Sequence, residues 1–255
     1  MLRSRVIPCL LIKNSGLVKT INFGEPKYVG DPLNAVKIFN EKEVDELIII
    51  DIDATKNGTE PNYSLIKKIA FECRMPLCYG GGIKSVEQAL KIIRLGVEKV
   101  ALSSAIIENP SLISSLASVI GSQSVVAVVD IKKKIFEGYK AYILNGSKEV
   151  KQDLDKLLKK IENFGAGEIV INSIDNDGLM KGYDLNLAKK VRKAVNVPIT
   201  ILGGAGSKED IFQIVDYFKV IGASAGSLFV FKGVYKAVLI NYFSKQDKNK
   251  LREIL

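Results

Sequence analysis

The chain has 255 residues, of which 47% are hydrophobic and 25% charged, with a formal net charge of +9 and no histidine. The missing histidine excludes imidazole as a general base or metal ligand, so acid–base chemistry falls to carboxylates, Lys, Tyr or Cys. No apolar run approaches the roughly 18 residues of a membrane span. Aromatic residues do not alternate with basic ones, as stacking on single strands requires, so we expect neither a nucleic-acid nor a membrane partner.

The cysteines and the N-terminal apolar stretch bear on where the protein works. Cys9, Cys73 and Cys78 form neither an even set nor a CxxC pair, which argues against a disulfide framework or a zinc site. Pro8 and Cys9 interrupt the first apolar stretch, so it predicts a strand and not a signal peptide. We therefore expect a cytoplasmic protein that uses no metal or cofactor.

Short β-branched runs alternate with longer amphipathic stretches along the whole chain. The runs predict strands at 5–10, 46–52, 76–79, 98–102, 124–130, 167–173, 198–202 and 219–225. The amphipathic stretches predict helices at 32–43, 63–73, 85–95, 110–118, 153–164, 185–194, 208–217 and 233–243. Eight alternating strands and helices predict an α/β protein with one closed (βα)8 barrel, a TIM barrel, spanning residues 1–255 as a single domain.

An internal repeat divides the predicted barrel into halves. Gly80-Gly81-Gly82 is followed by Ser103-Ser104, and Gly203-Gly204-Ala205-Gly206 is followed by Gly226-Ser227. The two glycine segments begin 123 residues apart, at 80 and 203, and the residues that follow them begin 123 residues apart as well, at 103 and 226. We therefore predict two similar half-barrels related by an approximate twofold axis.

The repeated glycines and hydroxyls are candidate phosphate ligands, because active sites of this fold lie where the strands end. Glycine lets backbone amides approach an anion closely, and a helix N-terminus adds partial positive charge. Two such sites on opposite sides of the barrel mouth predict a long ligand with a phosphate at each end. Tight turns that bind nothing are the alternative, but they do not explain why both glycine sets share one downstream partner. The candidates are Gly81, Gly82, Ser103, Ser104, Gly203, Gly204, Gly226 and Ser227.

Acidic side chains at the same strand ends form a second group of candidates. Asp130 follows the apolar run 125–129, which should hold its carboxylate rigidly between the two phosphate candidates. We predict that Asp130 is a general acid or base. Asp51 and Asp177 are further candidates, whereas we interpret Asp53 and Asp184 as simple loop caps.

Six segments carry a family resemblance: IPCLLIKNSGLVKTINF, GDPLNAVKIFNEKEVDELIIIDIDA, YGGGIKSVEQA, FGSQSVVAVVDIKK, GAGEIVINSIDNDG and GYDLNLAKKVRKAVNVPITILGGAGS. They resemble the cyclase subunit of imidazole glycerol phosphate synthase, the HisF family, from about residue 1 to about residue 231. The resemblance implies a lyase of histidine biosynthesis. Ammonia from a HisH-like glutaminase, bound as a heterodimer, attacks a bisphosphorylated aminoimidazole carboxamide ribonucleotide and gives imidazole glycerol phosphate and AICAR.

The resemblance also implies roles for individual residues. Asp130 matches the family's catalytic aspartate on strand five, and Lys19 matches its mobile-loop lysine. Ser103-Ser104 stands where the family has asparagine-threonine, and Cys78 replaces a threonine. Phosphate-site positions of the family are matched by Gly82, Asp177, Gly178, Gly204, Gly226 and Ser227.

Leu11 is the main departure from the family pattern. At this position, near the end of strand one, the family carries an aspartate that works opposite Asp130. Leucine can neither accept nor donate a proton, and removal of a positioned acid or base typically costs ~10²- to 10⁴-fold in rate.

The opposite end of the barrel keeps the family's charges. Arg5, Glu46, Lys99 and Glu168 match a ring of two basic and two acidic residues that implies a glutaminase docking site and an ammonia gate. Four charges near strand starts could also be structural or solvated pairs. The agreement of all four signs, beside the altered Leu11, favours retained ammonia passage with altered cyclase chemistry.

Two segments, LLIKNSGLVKTINFGEPKYVGDP and EPNYSLI, resemble a paralogous branch found with surface-polysaccharide genes. That branch is associated with acetamidino-sugar formation in lipopolysaccharide biosynthesis, together with a glutaminase and a separate sugar amidotransferase. The resemblance implies an alternative function, a non-cyclising ammonia conduit that activates a glutaminase.

Overall fold

Eight parallel strands form a closed barrel in the computed structural model, which describes residues 3–254. Each strand pairs with the next, and the eighth returns to the first, with Arg5 opposite Gly222. The predicted TIM barrel is therefore confirmed, while Met1, Leu2 and Leu255 of the predicted domain lie outside the described residues. The strands are β1 (Arg5–Lys13), β2 (Leu47–Asp51), β3 (Leu77–Gly80), β4 (Lys99–Leu102), β5 (Val125–Lys134), β6 (Glu168–Ser173), β7 (Ile199–Leu202) and β8 (Gly222–Ala225).

Helices follow the strands on the outside of the barrel. No helix within residues 3–254 combines the length and the apolar character needed to cross a membrane. Short helices cover Ala54–Asn57, Ser104–Glu108 and Ser227–Val230, and 3-10 turns cover Ser122–Ser124 and Ile174–Asn176. The longer helices are α1 (Pro32–Glu41), α2 (Tyr63–Glu72), α3 (Val86–Arg94), α4 (Ser111–Ile120), α5 (Leu154–Asn163), α6 (Leu185–Ala194), α7 (Lys208–Phe218) and α8 (Lys245–Ile254).

Two strands run past their predicted ends at 10 and 130 because each continues into a hairpin. β1 pairs with the antiparallel strand Gly16–Lys19, which in turn pairs with Lys27–Gly30. β5 pairs with Gly138–Ile143, which in turn pairs with Lys148–Glu149. Both hairpins therefore rise from the end of the barrel where the strands finish, and they add walls to its mouth.

The predicted helix at 233–243 is wrong. This segment contains a hairpin of Phe231–Lys232 with Ala237–Val238, and the last helix, α8, begins only at Lys245. Gly233 and Lys236 take left-handed backbone angles, with φ of 74° and 48°, which a helix cannot include. The β-branched and aromatic residues of this segment favour extended structure, and this local preference outweighs the helical spacing.

The backbone repeats as the sequence does. Gly81 and Gly204 have almost the same left-handed φ, 117° and 112°. Gly81 directly follows β3, whereas Gly204 is the second residue after β7. Ser103 and Gly226, the second repeated pair, each precede a short helix with similar angles, φ −123° and ψ −88° against φ −101° and ψ −71°. The two halves of the barrel thus share turn geometry as well as sequence.

Side chains inside the barrel form an apolar cluster separate from the layer between strands and helices. Alternation along each strand sends every second residue inward. The buried members of this inner cluster are Ile7, Cys9, Ile48, Cys78, Ala101, Val126 and Val170. Leu11, Ile50, Val128 and Leu202 pack against them. The barrel interior is therefore apolar along its middle.

The C-terminal segment is anchored by aromatic packing, which gives a test of the fold. Phe229 is 1% exposed, and its ring centroid lies 5.2 Å from that of Tyr242 and 6.3 Å from that of Phe243. We expect Phe229→Ala to lower the free energy of unfolding by about 3–5 kcal/mol, because a large buried ring leaves a cavity. Urea denaturation measures this loss in the free energy of unfolding. Phe71→Ala, at a 91% exposed position, is the control, and equal losses in both variants would contradict the packing model.

Candidate active site

A cavity of about 520 Å³ opens at the end of the barrel where the strands finish. It is bounded by residues from β1 to β7, by the loops after β3 and β8, and by the hairpins after β1 and β5. The structure brings many predicted site residues together in its wall: Lys19, Asp51, Gly81, Gly82, Ser103, Ser104, Asp130, Asp177 and Gly226. The remaining candidates, Gly178, Gly203, Gly204 and Ser227, lie outside the cavity wall.

Backbone crowding accounts for two of the glycines outside the wall. A β-carbon on Gly204 would lie 2.1 Å from the carbonyl oxygen of Gly182, whose amide donates to the Gly204 carbonyl at 2.9 Å. A β-carbon on Gly178 would lie 2.4 Å from the carbonyl oxygen of Thr20. Both positions require glycine for close backbone contacts, whether or not a phosphate binds nearby.

The hairpin after β1 is fastened over one side of the mouth by an ion pair. Lys19 Nζ lies 2.7 Å from Asp177 Oδ1, and Thr20 Oγ1 donates to Asp177 Oδ2 at 2.8 Å. Lys19 is buried, and its stem covers Gly226, where a β-carbon would lie 3.0 Å from Lys19 Cε. Lys19 and Asp177 therefore neutralise each other in this conformation.

Asp130 and Leu11 face the cavity from opposite strands, β5 and β1. Asn172 Nδ2 donates to Asp130 Oδ1 at 3.1 Å. Burial raises the pKa of Asp130 to about 7, although the Asn172 hydrogen bond acts in the opposite direction, and the Asp177 carboxylate adds a smaller increase. A carboxyl group with this pKa is suited to proton transfer in both directions near neutrality.

Some polar side chains at the mouth form hydrogen bonds with backbone amides of nearby loops. Asp51 Oδ1 accepts hydrogen bonds from the amides of Asp53 and Ala54, both at 3.1 Å. Asp53 itself makes no side-chain cap bond, so our interpretation of Asp53 as a cap is wrong, and Asp51 caps the short helix instead. The same interpretation of Asp184 is confirmed, because its side chain accepts from the Leu187 amide at 2.9 Å at the start of α6. Ser104 Oγ accepts from the amide of Leu144 at 3.1 Å, which ties this hydroxyl to the hairpin after β5.

Sequence reasoning missed Asn172 and Thr200. Asn172 is the third inward residue of β6, after Glu168 and Val170, and its Cα pairs in register with that of Asp130. The alternation of inward residues along β6 was the available signal. Thr200 is fully buried, and its hydroxyl donates to Glu168 Oε1 at 2.6 Å.

The four predicted gate residues form a closed ring of ion pairs at the opposite end of the barrel. Glu168 accepts from Arg5 Nη2 at 2.7 Å and from Lys99 Nζ at 3.0 Å. Glu46 accepts from Lys99 Nζ at 2.8 Å and also contacts Arg5. Positive and negative charges alternate around the ring, and the apolar cluster separates them from the cavity.

Charge pairing within this ring outweighs the effect of burial. Burial alone would raise the pKa of Glu168, but Arg5 and Lys99 hold it at about 2, with help from the Thr200 hydroxyl. Burial would lower the pKa values of Arg5 and Lys99, yet both are raised by the two glutamates. All three of these groups are therefore charged across the neutral range.

Comparison with known proteins decides the family. A family model described as "Histidine biosynthesis protein" matches residues 5–236. A Vibrio vulnificus (strain YJ016) protein provisionally named imidazole glycerol phosphate synthase subunit hisF3 is 59% identical over 255 residues, 100% of this chain and 98% of that protein. The chain belongs to the HisF family.

Other HisF-family relatives are similar over nearly the same length. A Leptospira borgpetersenii protein, provisionally named imidazole glycerol phosphate synthase subunit HisF, is 55% identical over 252 residues, 98% of this chain and 99% of that protein. A Streptococcus mutans serotype c protein named imidazole glycerol phosphate synthase subunit HisF is 37% identical over 229 residues, 90% of this chain and 91% of that protein. The family resemblance in the sequence is thus confirmed.

The ion-pair ring predicts a pH-dependent loss of stability in Glu168→Gln. Removing one buried partner leaves Arg5 and Lys99 undercompensated, so the free energy of unfolding at neutral pH should fall by about 3 kcal/mol. The folded-state pKa of Glu168 is depressed to about 2. The stabilisation is therefore complete above its ordinary value of about 4.3 and is lost as pH falls through about 2.

Urea denaturation at several pH values measures this difference. Asp216→Asn is a suitable control because Asp216 pairs with Lys219 on the surface, with 68% of its side chain exposed. That variant should change stability little at any pH. The difference in the free energy of unfolding between Glu168→Gln and the unmodified protein should shrink in acid. If it does not, the ion pairs are not the cause of that difference.

The raised pKa of Asp130 predicts the opposite dependence of stability on pH. Its folded-state pKa of about 7 lies above the value of about 3.9 for an unfolded aspartate. Ionising it therefore costs stability as pH rises between those values. We expect Asp130→Asn to become progressively more stable relative to the unmodified protein across this window. The same denaturation series measures the effect, and a constant difference from pH 5 to pH 8 would contradict it.

Proposed function

We propose that this chain is the ammonia-receiving barrel subunit of a glutamine amidotransferase of the imidazole glycerol phosphate synthase type. One arrangement carries the proposal. A ring of buried ion pairs closes one end of the barrel, an apolar interior follows it, and a cavity with the Asp130 carboxylate lies at the other end. A neutral small molecule can cross such an interior, whereas an ammonium ion would lose its hydration there.

The partner in this proposal is a HisH-like glutaminase that forms a heterodimer with the chain at the ion-pair ring. Arg5 and Lys99 keep part of their side chains exposed, 22% and 18%, so a docked protein can reach them. Contact with either cation would redistribute the four ion pairs and open the ring. Ammonia released by the glutaminase would then enter the barrel directly.

The substrate in this proposal is a small molecule with a phosphate at each end. Gly81, Gly82, Ser103 and Ser104 would bind one phosphate at the half of the mouth that is open, where Ser103 Oγ has no partner within residues 3–254. The second phosphate would lie on the other half of the mouth. The Lys19–Asp177 pair would open there as the hairpin moves. That half contains Asp177, Gly178, Gly203, Gly204, Gly226 and Ser227.

The reaction in this proposal is the family's ammonia-dependent cyclisation, with Asp130 as its acid–base group and Lys19 as a substrate ligand. Leu11 itself supplies no proton-transfer group opposite Asp130. The cyclisation would therefore proceed with one carboxylate where the family uses two. Imidazole glycerol phosphate and AICAR would be the products.

Leu11 also favours a second function, a non-cyclising conduit that activates the glutaminase and passes ammonia to a sugar amidotransferase. Such an acceptor enzyme would dock where the cavity opens. The hairpin after β5 ends in Ile135 and Phe136, which are 90% and 97% exposed. Neither side chain lines the cavity, but two neighbouring apolar side chains that are nearly fully exposed, on a hairpin that borders the cavity, would suit a protein-binding surface. Acetamidino-sugar formation in lipopolysaccharide biosynthesis would be the pathway.

The activity of the glutaminase partner shows whether the ion-pair ring is an ammonia gate or only a structural feature of the barrel. We expect Lys99→Met and Glu46→Gln to lower glutamine hydrolysis by the HisH-like partner, because both break the ring that contacts it. Asp130→Asn should leave this hydrolysis intact, since it occurs on the partner. A coupled glutamate assay on the purified complex measures both effects. The reverse pattern would contradict the proposed gate.

Leu11→Asp distinguishes the two functions. The assay supplies the bisphosphorylated family substrate with ammonium chloride and measures imidazole glycerol phosphate. Turnover by the unmodified chain supports cyclisation, and Leu11→Asp should then raise it, by up to ~10²-fold. No turnover by the unmodified chain, with recovery in Leu11→Asp, supports the conduit. Leu11→Asn controls for polarity without a proton-transfer group.

A further inference from the structure

The Asn172 side chain has an unusual set of hydrogen bonds. Its Nδ2 donates to Asp130 Oδ1 at 3.1 Å, yet its own Oδ1 is buried and has no donor within residues 3–254. Buried polar atoms are nearly always paired, so an unpaired amide oxygen requires an explanation. In the described part of the chain, Asn172 is also the one hydrogen-bond donor to the Asp130 carboxylate.

We propose that Asn172 is a positioning residue that serves both protonation states of Asp130 by rotating its amide. Nδ2 donates to the carboxylate when Asp130 is ionised. After a half-turn of the amide, Oδ1 accepts a hydrogen bond from the carboxylic acid when Asp130 is protonated. The inference deepens the proposed function, because it concerns the group that we assign to acid–base chemistry.

The geometry explains why the amide is free to turn. An asparagine side chain carries a donor and an acceptor in the same plane at similar distances from its Cβ. Because Oδ1 has no partner in the described part of the chain, the half-turn exchanges only the bond to Asp130 and breaks no other there. A buried amide anchored at both ends would lose a second hydrogen bond on turning.

The surroundings of Asp130 make this partner necessary. The opposite wall presents Leu11, which offers neither a donor nor an acceptor. The titratable groups that influence the site are Cys9 on β1, Lys19 on the hairpin and Asp177 after β6. Lys19 and Asp177 are already paired with each other. Asn172 is thus the group in hydrogen-bond contact with Asp130 as its proton leaves and returns.

The test is an NMR titration of the full-length chain with ¹³C-labelled aspartate and ¹⁵N-labelled asparagine. We expect the Asn172 side-chain NH₂ resonances to change with the same midpoint as the Asp130 carboxyl carbon. Asn172→Leu, which has a similar shape but no polar atoms, should raise the Asp130 midpoint by about one pH unit, since the lost donor favoured the charged form. Asn172→Ser gives a second measurement if the leucine variant folds poorly.

Asn145→Ala is the matched control. Asn145 also lines the cavity, but its Nδ2 donates at 2.7 Å to the carbonyl oxygen of Ile52, away from Asp130. This variant should leave the Asp130 midpoint unchanged. Asn172 resonances that stay constant through the Asp130 titration, or an unchanged midpoint in both Asn172 variants, would overturn the proposal. Neither outcome depends on glutaminase or cyclase assays, so failure here is distinct from failure of the proposed function.

Discussion

The alternation of side chains along closed parallel strands is the constraint on which the rest of this structure depends. On β1, Arg5, Ile7, Cys9 and Leu11 all point into the barrel, so one strand contributes to the ion-pair ring, the apolar interior and the cavity wall in turn. On β6, Glu168, Val170 and Asn172 repeat the same order. A shift of one residue would exchange inner for outer side chains and remove all three features together.

This layering separates two charged regions by an apolar one. The ring at the amino-terminal end holds its charges because each is paired. Asp130 at the other end has no cationic partner among residues 3–254 and takes a raised pKa instead. Both outcomes follow from the same cost of burying charge, which is met by pairing in one place and by holding a proton in the other. An apolar interior between them suits a neutral molecule.

Leu11 is an apolar residue in the cavity wall that faces Asp130. It leaves Asp130 with an apolar opposite wall, so the carboxyl group depends on Asn172 for hydrogen bonding. Leu11 itself supplies no proton-transfer group here, while every member of the ring of Arg5, Glu46, Lys99 and Glu168 is paired.

The sequence by itself determined the barrel, the repeat of its glycine turns, and the strand that carries Asp130, because these depend on local periodicity and on residues at fixed spacing. The family resemblance indicated the ring residues, which lie at or next to strand starts. Sequence-based prediction failed at 233–243, where left-handed angles at Gly233 and Lys236 break a helical pattern. Only the tertiary structure decided that Lys19 pairs with Asp177, that Asp51 caps a short helix, and that Asn172 contacts Asp130. These contacts join residues from different strands and loops, and their distances follow from the closure of the barrel, which no single segment encodes.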